Sequence, residues 1–245
     1  MTVLRELLGL LLPVECAGCG ALDVAWCARC AARLAGGPWR CEDRAARLDR
    51  LDGSEALPVW TLADCTGDVR RGIVAWKDRG RLDLTPAFAR AAGRAGGHIA
   101  PLLAVGTVLV VPAPSTAAAR RRRGADLVGA LAVAVADGLA GAGLLAVPAP
   151  VLVRRGGQDQ VGLGARARSR NLAGHVRVPP SRASRLQGRA TVVVDDVLTT
   201  GATLAASRAA LEAAGARVVG AFTLASTPRP AAAARLPPGR VVSTG

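Results

Sequence analysis

One segment constrains the fold of this 245-residue chain more than any other: from Thr191 it reads TVVVDDVLTTGATL. The run of β-branched apolar residues predicts a buried strand, and the helix expected over 202–214 ends at Gly215. Between them lie two acids and a short loop of hydroxyl residues and glycine. In open α/β sheets, ligands bind outside the carboxyl ends of the strands. The segment therefore predicts a sheet of that kind and the place where its ligand binds.

The rest of the chain alternates in the same way between strands and helices. Apolar spacing predicts helices over 3–12, 67–78, 82–96, 120–141 and 202–214, and strands over 59–63, 107–111, 150–153, 191–194 and 217–224. Apolar strands that alternate with helices favour a parallel sheet flanked by helices. We divide the chain into an N-terminal segment (1–58), a sheet domain (59–227) and a proline- and alanine-rich tail (228–245).

The loop after the valine run has the composition of a phosphate site. Its hydroxyl donors are Thr199, Thr200 and Thr203. Gly201 lets the backbone approach an anion closely, and a loop that opens a helix points N–H groups at that anion. Asp195 and Asp196 would repel a phosphate, but they can accept hydrogen bonds from sugar hydroxyls. Together these residues predict a ribose 5-phosphate site.

Other nucleotide-binding motifs fit less well. The chain has a single lysine, Lys77, and no G-x-x-x-x-G-K-[ST] sequence, which excludes a P-loop. Residues 162–167 formally match G-x-G-x-x-A, but they do not directly follow a strand, and we assign the match to chance. A simple helix-capping role for Asp195 would leave the threonines and the glycine unexplained.

Two C-x-x-C pairs near the N-terminus predict a metal site. The candidate ligands are Cys16, Cys19, Cys27 and Cys30. Each pair places two thiolates on one turn, and two pairs complete the tetrahedral sulfur set of a structural zinc ion. A pair of disulfides is the alternative, which a reducing cytosol disfavours. Cys41 and Cys65 lack such a partner, and we interpret them as ordinary buried thiols.

Charge is unevenly distributed along the chain, whose formal net charge is +14. Residues 1–66 carry seven basic and nine acidic residues, whereas residues 67–245 carry twenty-five basic and nine acidic ones. A surface of this sign suits phosphorylated small molecules, nucleic acid or anionic lipid. The apolar run 7–14 is too short to span a bilayer, and acidic residues flank it where a signal peptide has basic and small ones. We therefore expect a cytoplasmic protein without a membrane span.

Residues 194–203 resemble the phosphoribosyl pyrophosphate signature of type I phosphoribosyltransferases at essentially every position. With the cysteine pairs, the chain resembles the ComF family, competence-associated proteins of that fold with an N-terminal zinc ribbon. Further matching segments are LLP at 11–13, GDVR at 67–70, WKDRGR at 76–81, VPAP at 111–114, the arginine run before Gly124, QVGL at 160–163 and RSRNL at 168–172. The resemblance covers most of residues 10–225. It implies an α/β fold, a type I phosphoribosyltransferase-like parallel sheet flanked by helices, with a small N-terminal zinc-ribbon-like segment that holds zinc through four cysteines.

The resemblance also implies a role for each matching residue. Asp195 and Asp196 would be the catalytic pair and would hold the ribose 2′- and 3′-hydroxyls. The 5-phosphate would lie on Val197, Leu198, Thr199, Thr200, Gly201, Ala202 and Thr203. The loop from Pro112 and Ala113 to Thr116 would lie where the family binds pyrophosphate and Mg²⁺. The basic residues in reach would be Arg121, Arg122, Arg123, Arg154 and Arg155, and Lys77 and Arg79 complete the substrate-binding set.

Two functions follow from the resemblance. The first is a phosphoribosyl pyrophosphate-binding protein that transfers phosphoribose by displacement at the anomeric carbon, as a glycosyltransferase whose acceptor the sequence does not identify. The second is a non-catalytic competence factor in DNA uptake, which uses the fold to bind single-stranded DNA or a partner in the competence machinery. The acids and threonines favour the first. Because ComF members typically have further C-x-x-C pairs that this chain lacks, we expect one zinc ion rather than two.

Overall fold

The computed structural model describes residues 14–48, 56–154 and 176–229. The helix predicted over 3–12 and most of the predicted tail lie outside these residues. The described helices are α1 (Ala28–Ala32), α2 (Gly67–Asp78), α3 (Thr85–Ile99), α4 (Ala117–Arg123), α5 (Leu127–Gly141), α6 (Pro180–Ala183) and α7 (Ala202–Ala213). The described strands are β1 (Trp39–Arg40), β2 (Val59–Asp64), β3 (Thr107–Pro112), β4 (Leu145–Pro148), β5 (Val153–Arg154), β6 (Val176–Arg177), β7 (Ala190–Leu198) and β8 (Arg217–Ser226).

Six of these strands form one sheet in the order β1-β2-β8-β7-β3-β4. Every neighbouring pair is parallel except β1 with β2, while β5 and β6 form a separate antiparallel pair. The order places β7 between β8 and β3, so its carboxyl end adjoins the carboxyl ends of both neighbours. The predicted fold class, a mostly parallel sheet flanked by helices, is confirmed.

Both faces of β7 are covered by apolar side chains. Val192 and Val194 lie in one buried cluster with residues of α2, α3 and α5, whereas Val193 lies in a second cluster with Leu204 and Leu211 of α7. Successive side chains of a strand point to opposite faces of its sheet. An uninterrupted run of valines is therefore stable only with an apolar layer on each side.

The single helix predicted over 120–141 is wrong, because the chain forms two helices there. The side chain of Thr116 caps α4, and Gly124 ends that helix with a φ of +68°. Asp126 then caps α5. Glycine adopts this left-handed backbone at little cost, so Gly124 divides the helical run. The arginines that precede it belong to α4, at the carboxyl edge of β3.

The strand predicted at 150–153 is also misplaced. The edge strand of the sheet is β4, which ends at Pro148, and Val153 instead begins β5. Pro148 and Pro150 have no backbone N–H to donate to a ladder. The chain therefore leaves the sheet after β4, and the two residues of β5 pair with β6.

Helices α3 and α5 approach each other closely through glycines. A Cβ atom on Gly138 would overlap the carbonyl oxygen of Gly93, and a Cβ atom on Gly96 would overlap that of Val135. This contact allows both helices to cover the same face of the sheet. None of the helices in the described residues combines the length and apolar character needed to cross a bilayer.

Candidate functional site

A cleft of about 230 Å³ lies at the carboxyl ends of β3 and β7. The sequence-predicted site residues that line it are Lys77, Ala113, Arg123, Arg154, Asp195, Asp196, Val197, Thr199 and Thr203. They come from α2, the loop after β3, α4, β5, β7 and the first turn of α7. The position agrees with the rule that ligands of open α/β sheets bind beyond the strand ends.

The loop between β7 and α7 brings the threonines into the cleft. Gly201 has a φ of +78°, and a Cβ atom there would crowd the side chains of Leu48 and Ala45. The hydroxyl of Thr200 accepts a long hydrogen bond, 3.4 Å, from the backbone N–H of Ala202. Glycine is thus required at position 201 both by the backbone angle and by close packing. With this turn in place, the side chains of Thr199 and Thr203 line the cleft.

The two acids at the end of β7 differ in environment. Asp196 is only 3% exposed, and its Oδ2 lies 2.6 Å from Nζ of Lys77. Asp195 is half-buried, and its Oδ1 accepts a hydrogen bond of 2.8 Å from the backbone N–H of Asp196. Burial and the neighbouring Asp196 carboxylate raise the pKa of Asp195 to about 7, although Lys77 opposes the rise. Although burial by itself would lower the pKa of Lys77, the two carboxylates raise it above its usual value.

Basic side chains complete the other side of the cleft. Arg123 comes from the end of α4 and Arg154 from β5. The Nε–H of Arg123 is buried and has no hydrogen-bond partner among the described residues. Ser115 and Thr116, which follow β3, also line the cleft, so hydroxyl groups and cations share it with the carboxylates.

The remaining predicted residues fall in three places. None of five others lines the cleft: Pro112 and Leu198 end β3 and β7, Thr200 and Gly201 lie in the loop after β7, and Ala202 begins α7. Arg121 is exposed on α4, the side chain of Arg122 is not described, and Arg155 lies outside the described residues. Arg79 lies in a different groove, beside residues 16–20, and so does not join the others.

The four cysteines of the C-x-x-C pairs come together as a possible metal site. Their Sγ atoms all lie within 4.8 Å of one another, with Cys16 3.7 Å from Cys30 and Cys19 3.5 Å from Cys27. A tetrahedral zinc ion with Zn–S bonds of about 2.3 Å separates its sulfurs by about 3.8 Å, whereas a disulfide requires about 2.05 Å. The donor set therefore fits zinc and not a pair of disulfides.

The four thiols of the cluster differ in their electrostatics, and burial raises the pKa of Cys30. A backbone hydrogen bond from Ala21 and the side chain of Arg29 lower the pKa of Cys19 to about 6, which favours the thiolate that binds zinc. Burial raises the pKa of Cys41 to about 12 and also raises that of Cys65. Cys41 is fully buried as predicted, but Cys65 is only half-buried, at the carboxyl end of β2.

The segment that contains the four cysteines, residues 16–30 (the cysteine segment), packs directly on α2 and α3. The ring of Trp26 meets that of Phe88 edge to face at 5.3 Å and leaves no room for a Cβ atom on Gly72. Arg71 of α2 donates through Nε to the carbonyl oxygen of Gly18 at 2.6 Å. The sequence showed Trp26 beside a cysteine but contained no sign of its partner, because α3 lies far along the chain.

Known proteins resemble part of this chain. Residues 128–242 match the family model described as the phosphoribosyl transferase domain. An adenine phosphoribosyltransferase of Mycolicibacterium gilvum is 37% identical over 119 residues, which cover 45% of this chain and 62% of that protein. An adenine phosphoribosyltransferase of Corynebacterium kroppenstedtii is 56% identical over 41 residues, which cover 17% of this chain and 22% of that protein. The chain thus spans less than two thirds of the length of either relative.

Residues 128–242 are thus similar to the phosphoribosyl transferase domain, and the mostly parallel sheet flanked by helices agrees with that likeness. The domain match includes β7 and the loop to α7, so the acids and threonines lie inside it. Lys77, Ala113 and Arg123 precede the matched residues, as does the cysteine cluster. The likeness therefore includes the acid pair and the threonine loop of the cleft, and the ComF resemblance stays a prediction.

Proposed function

We propose that this protein binds phosphoribosyl pyrophosphate with Mg²⁺ and transfers its phosphoribosyl group to an acceptor. The observation that supports this is the assembly, in one cleft, of an acid pair, a threonine loop opening a helix, and two arginines. Each of these groups matches one part of the ligand in charge and hydrogen-bonding character. A lone phosphate would be repelled by the acids, whereas ribose hydroxyls can donate hydrogen bonds to them.

The 5-phosphate is bound by the loop from Thr199 to Thr203, which offers hydroxyls and the N-terminus of α7. Asp195 and Asp196 accept hydrogen bonds from the ribose hydroxyls. Arg123 and Arg154 face the pyrophosphate, together with Ser115 and Thr116 after β3. Arginine suits this role because its guanidinium presents several donors in a fixed plane to phosphate oxygens.

The reaction is a displacement at the anomeric carbon. The bond between that carbon and the pyrophosphate oxygen breaks, and the acceptor nucleophile forms a new bond to the same carbon. Mg²⁺, carried in with the pyrophosphate, supplies positive charge that neutralises the leaving group. The acids hold the ring while it gains positive charge, and the arginines hold the departing anion.

The acceptor, the zinc ion and the cellular location of the protein are also part of the proposal. Because both relatives are named adenine phosphoribosyltransferases, a purine base is the first acceptor to assay. The four-cysteine cluster with its fitting geometry supports the ComF resemblance and a structural zinc ion. Unbridged thiols at ligand distance require reducing conditions, which supports a cytoplasmic location.

Calorimetric titration with phosphoribosyl pyrophosphate and Mg²⁺ tests the proposed function. The unsubstituted protein binds, and the Asp195→Asn/Asp196→Asn double variant loses at least about tenfold in affinity, since hydrogen bonds to charged groups contribute about 1.5–3 kcal/mol each. Asp137→Asn, an exposed carboxylate on α5 away from the cleft, is the matched control and binds normally.

The absence of binding by the unsubstituted protein would refute the proposal. Tight, salt-dependent binding of single-stranded DNA in the same titration, unaffected by the double substitution, would favour the DNA-uptake function instead. Release of pyrophosphate on addition of adenine separates transfer from binding alone.

A further inference from the structure

The sequence around Lys77 does not predict which residue its side chain contacts. It extends from the last turn of α2 to Asp196 on β7, with 2.6 Å between Nζ and Oδ2. The carboxylate is almost wholly buried, while the ammonium is about one third exposed. Withdrawing the ammonium toward a ligand would leave a buried charge unpaired, which is strongly unfavourable. The geometry thus commits Lys77 to the acid rather than to a phosphate.

Asp195 is held in a different way. Its Oδ1 accepts a neutral backbone N–H, that of Asp196, at 2.8 Å. Other charged or titratable groups that face the pair are Arg123 from α4, Arg154 from β5 and the thiol of Cys65 at the end of β2. The ion pair of Lys77 is formed with Asp196 and not with Asp195.

We propose that Lys77 is a positioning residue: its ion pair holds the Asp196 carboxylate in a fixed place for the ligand, and Asp195, with which Lys77 does not pair, is the acid whose protonation controls binding. This inference rests on the proposed function of the cleft and assigns each acid a separate task. Asp196 is a fixed acceptor for one ribose hydroxyl. Asp195 accepts from the other hydroxyl only when it is ionised, so ligand affinity rises with pH through its titration.

The charges around the pair agree with this division of roles. Burial and Asp196 raise the pKa of Asp195 to about 7, and Lys77 is the cation that limits the rise. Two carboxylates at adjoining positions cannot both ionise easily without a countercharge. Removing Lys77 therefore removes the cation that limits the rise, so the pKa of Asp195 increases further.

The first test needs no ligand. Carboxyl ¹³C chemical shifts of the aspartates are followed from pH 4 to 10 in the full chain and in Lys77→Met, Lys77→Arg and Arg79→Met. In the unsubstituted protein one acid of the pair titrates near neutral pH. In Lys77→Met that titration moves up by about 1–3 units, the effect expected from losing an adjacent opposite charge.

Two variants control this measurement. Lys77→Arg retains the charge and keeps the titration close to that of the unsubstituted protein. Arg79→Met removes one charge two residues away, in a groove on the other side of α2, and leaves the titration unchanged. An identical titration in Lys77→Met and the unsubstituted protein would overturn the inference, whichever ligand the cleft binds.

The second test uses phosphoribosyl pyrophosphate with Mg²⁺ at a series of pH values. Affinity of the unsubstituted protein rises through neutral pH, and in Lys77→Met the rise moves to higher pH by the same shift of about 1–3 units, with a loss of about fivefold or more at pH 7 that shrinks as pH increases. A uniform loss at every pH would show direct contact with the ligand and overturn the positioning role. If the unsubstituted protein does not bind at all, the proposed function fails, and the carboxyl titration still decides the role of Lys77.

Discussion

At the scale of single residues, two neighbouring aspartates acquire different properties because they occupy successive positions of one strand. Successive side chains point to opposite faces of the sheet. Asp196 is directed toward α2, where Lys77 neutralises it, whereas Asp195 is half-buried and accepts a neutral backbone N–H. Burial of a carboxylate that is not directly paired costs stability when it ionises. The ligand site is therefore also a site of reduced stability.

Replacement of Asp195 by Asn is expected to stabilise the ligand-free protein at neutral and higher pH. The folded-state pKa of Asp195 is about 7 and its ordinary value is 3.8, so the folded protein holds this proton more tightly than the unfolded chain. The native carboxyl group favours the folded state most below pH 4, and that advantage is lost as pH rises to about 7. The gain from Asp195→Asn therefore grows between pH 4 and pH 7 and then levels off.

Thermal melting of the unsubstituted protein and Asp195→Asn from pH 4 to 8 measures this gain. It amounts to several degrees at pH 8, since about 1 kcal/mol moves the melting temperature of a domain of this size by about 2–4 °C. Asp137→Asn, on an exposed surface, shows no such pH dependence. A constant difference between Asp195→Asn and the unsubstituted protein at all pH values would contradict the raised pKa.

At the scale of elements, the packing of α3 against α5 depends on glycines that periodicity alone does not reveal. The apolar spacing of both helices predicts that they pack, but backbone contact between Gly138 and Gly93 determines how closely. A closer approach brings more of both helices against the sheet. The same helices carry buried leucine, alanine and phenylalanine side chains into the larger apolar cluster.

Gly138→Ala is expected to destabilise the protein by about 1–3 kcal/mol, because the added methyl group overpacks the contact between the two helices. Gly141→Ala is the matched control, since a Cβ atom there meets nothing within 4 Å. Alanine at that position is neutral or stabilises the helix by up to about 1 kcal/mol. Urea unfolding measures both changes, and equal stabilities for the two variants would contradict the close approach.

At the scale of the whole molecule, α2 connects the cysteine segment to the cleft. Its first two turns contact that segment through Arg71 and Gly72, and its last turn carries Lys77. Trp26 extends the contact to Phe88 on α3. A segment with so small a core of its own depends on a metal ion to keep this packing.

Zinc is expected at one ion per chain, as measured by elemental analysis of protein purified under reducing conditions. Cys27→Ser loses the ion and lowers the melting temperature, because the docking of Trp26 is lost with the cluster. Cys65→Ser removes a thiol that is not part of the cluster and retains one zinc ion. The predicted zinc site would be contradicted if the unsubstituted protein contained no zinc, or if Cys27→Ser retained it.

Sequence spacing by itself determined the features that depend on neighbours in the chain. The valine run before two acids, the glycine at the turn and the threonines of the loop predict the phosphate half of the cleft, because strand, turn and helix are local structures. The C-x-x-C spacing likewise predicts the sulfur cluster, since each pair lies within one turn. The break at Gly124 is local too, although the helix predicted over 120–141 extended across it.

Only the tertiary structure decided which distant side chains meet. It placed Lys77 on Asp196, Trp26 on Phe88, and Arg154 in the cleft, while it left Arg79 in another groove. The physical reason is that such contacts depend on the order of strands in the sheet and the angle at which helices cross it. Spacing along the chain contains neither quantity, so the different partners of the two acids follow from the fold alone.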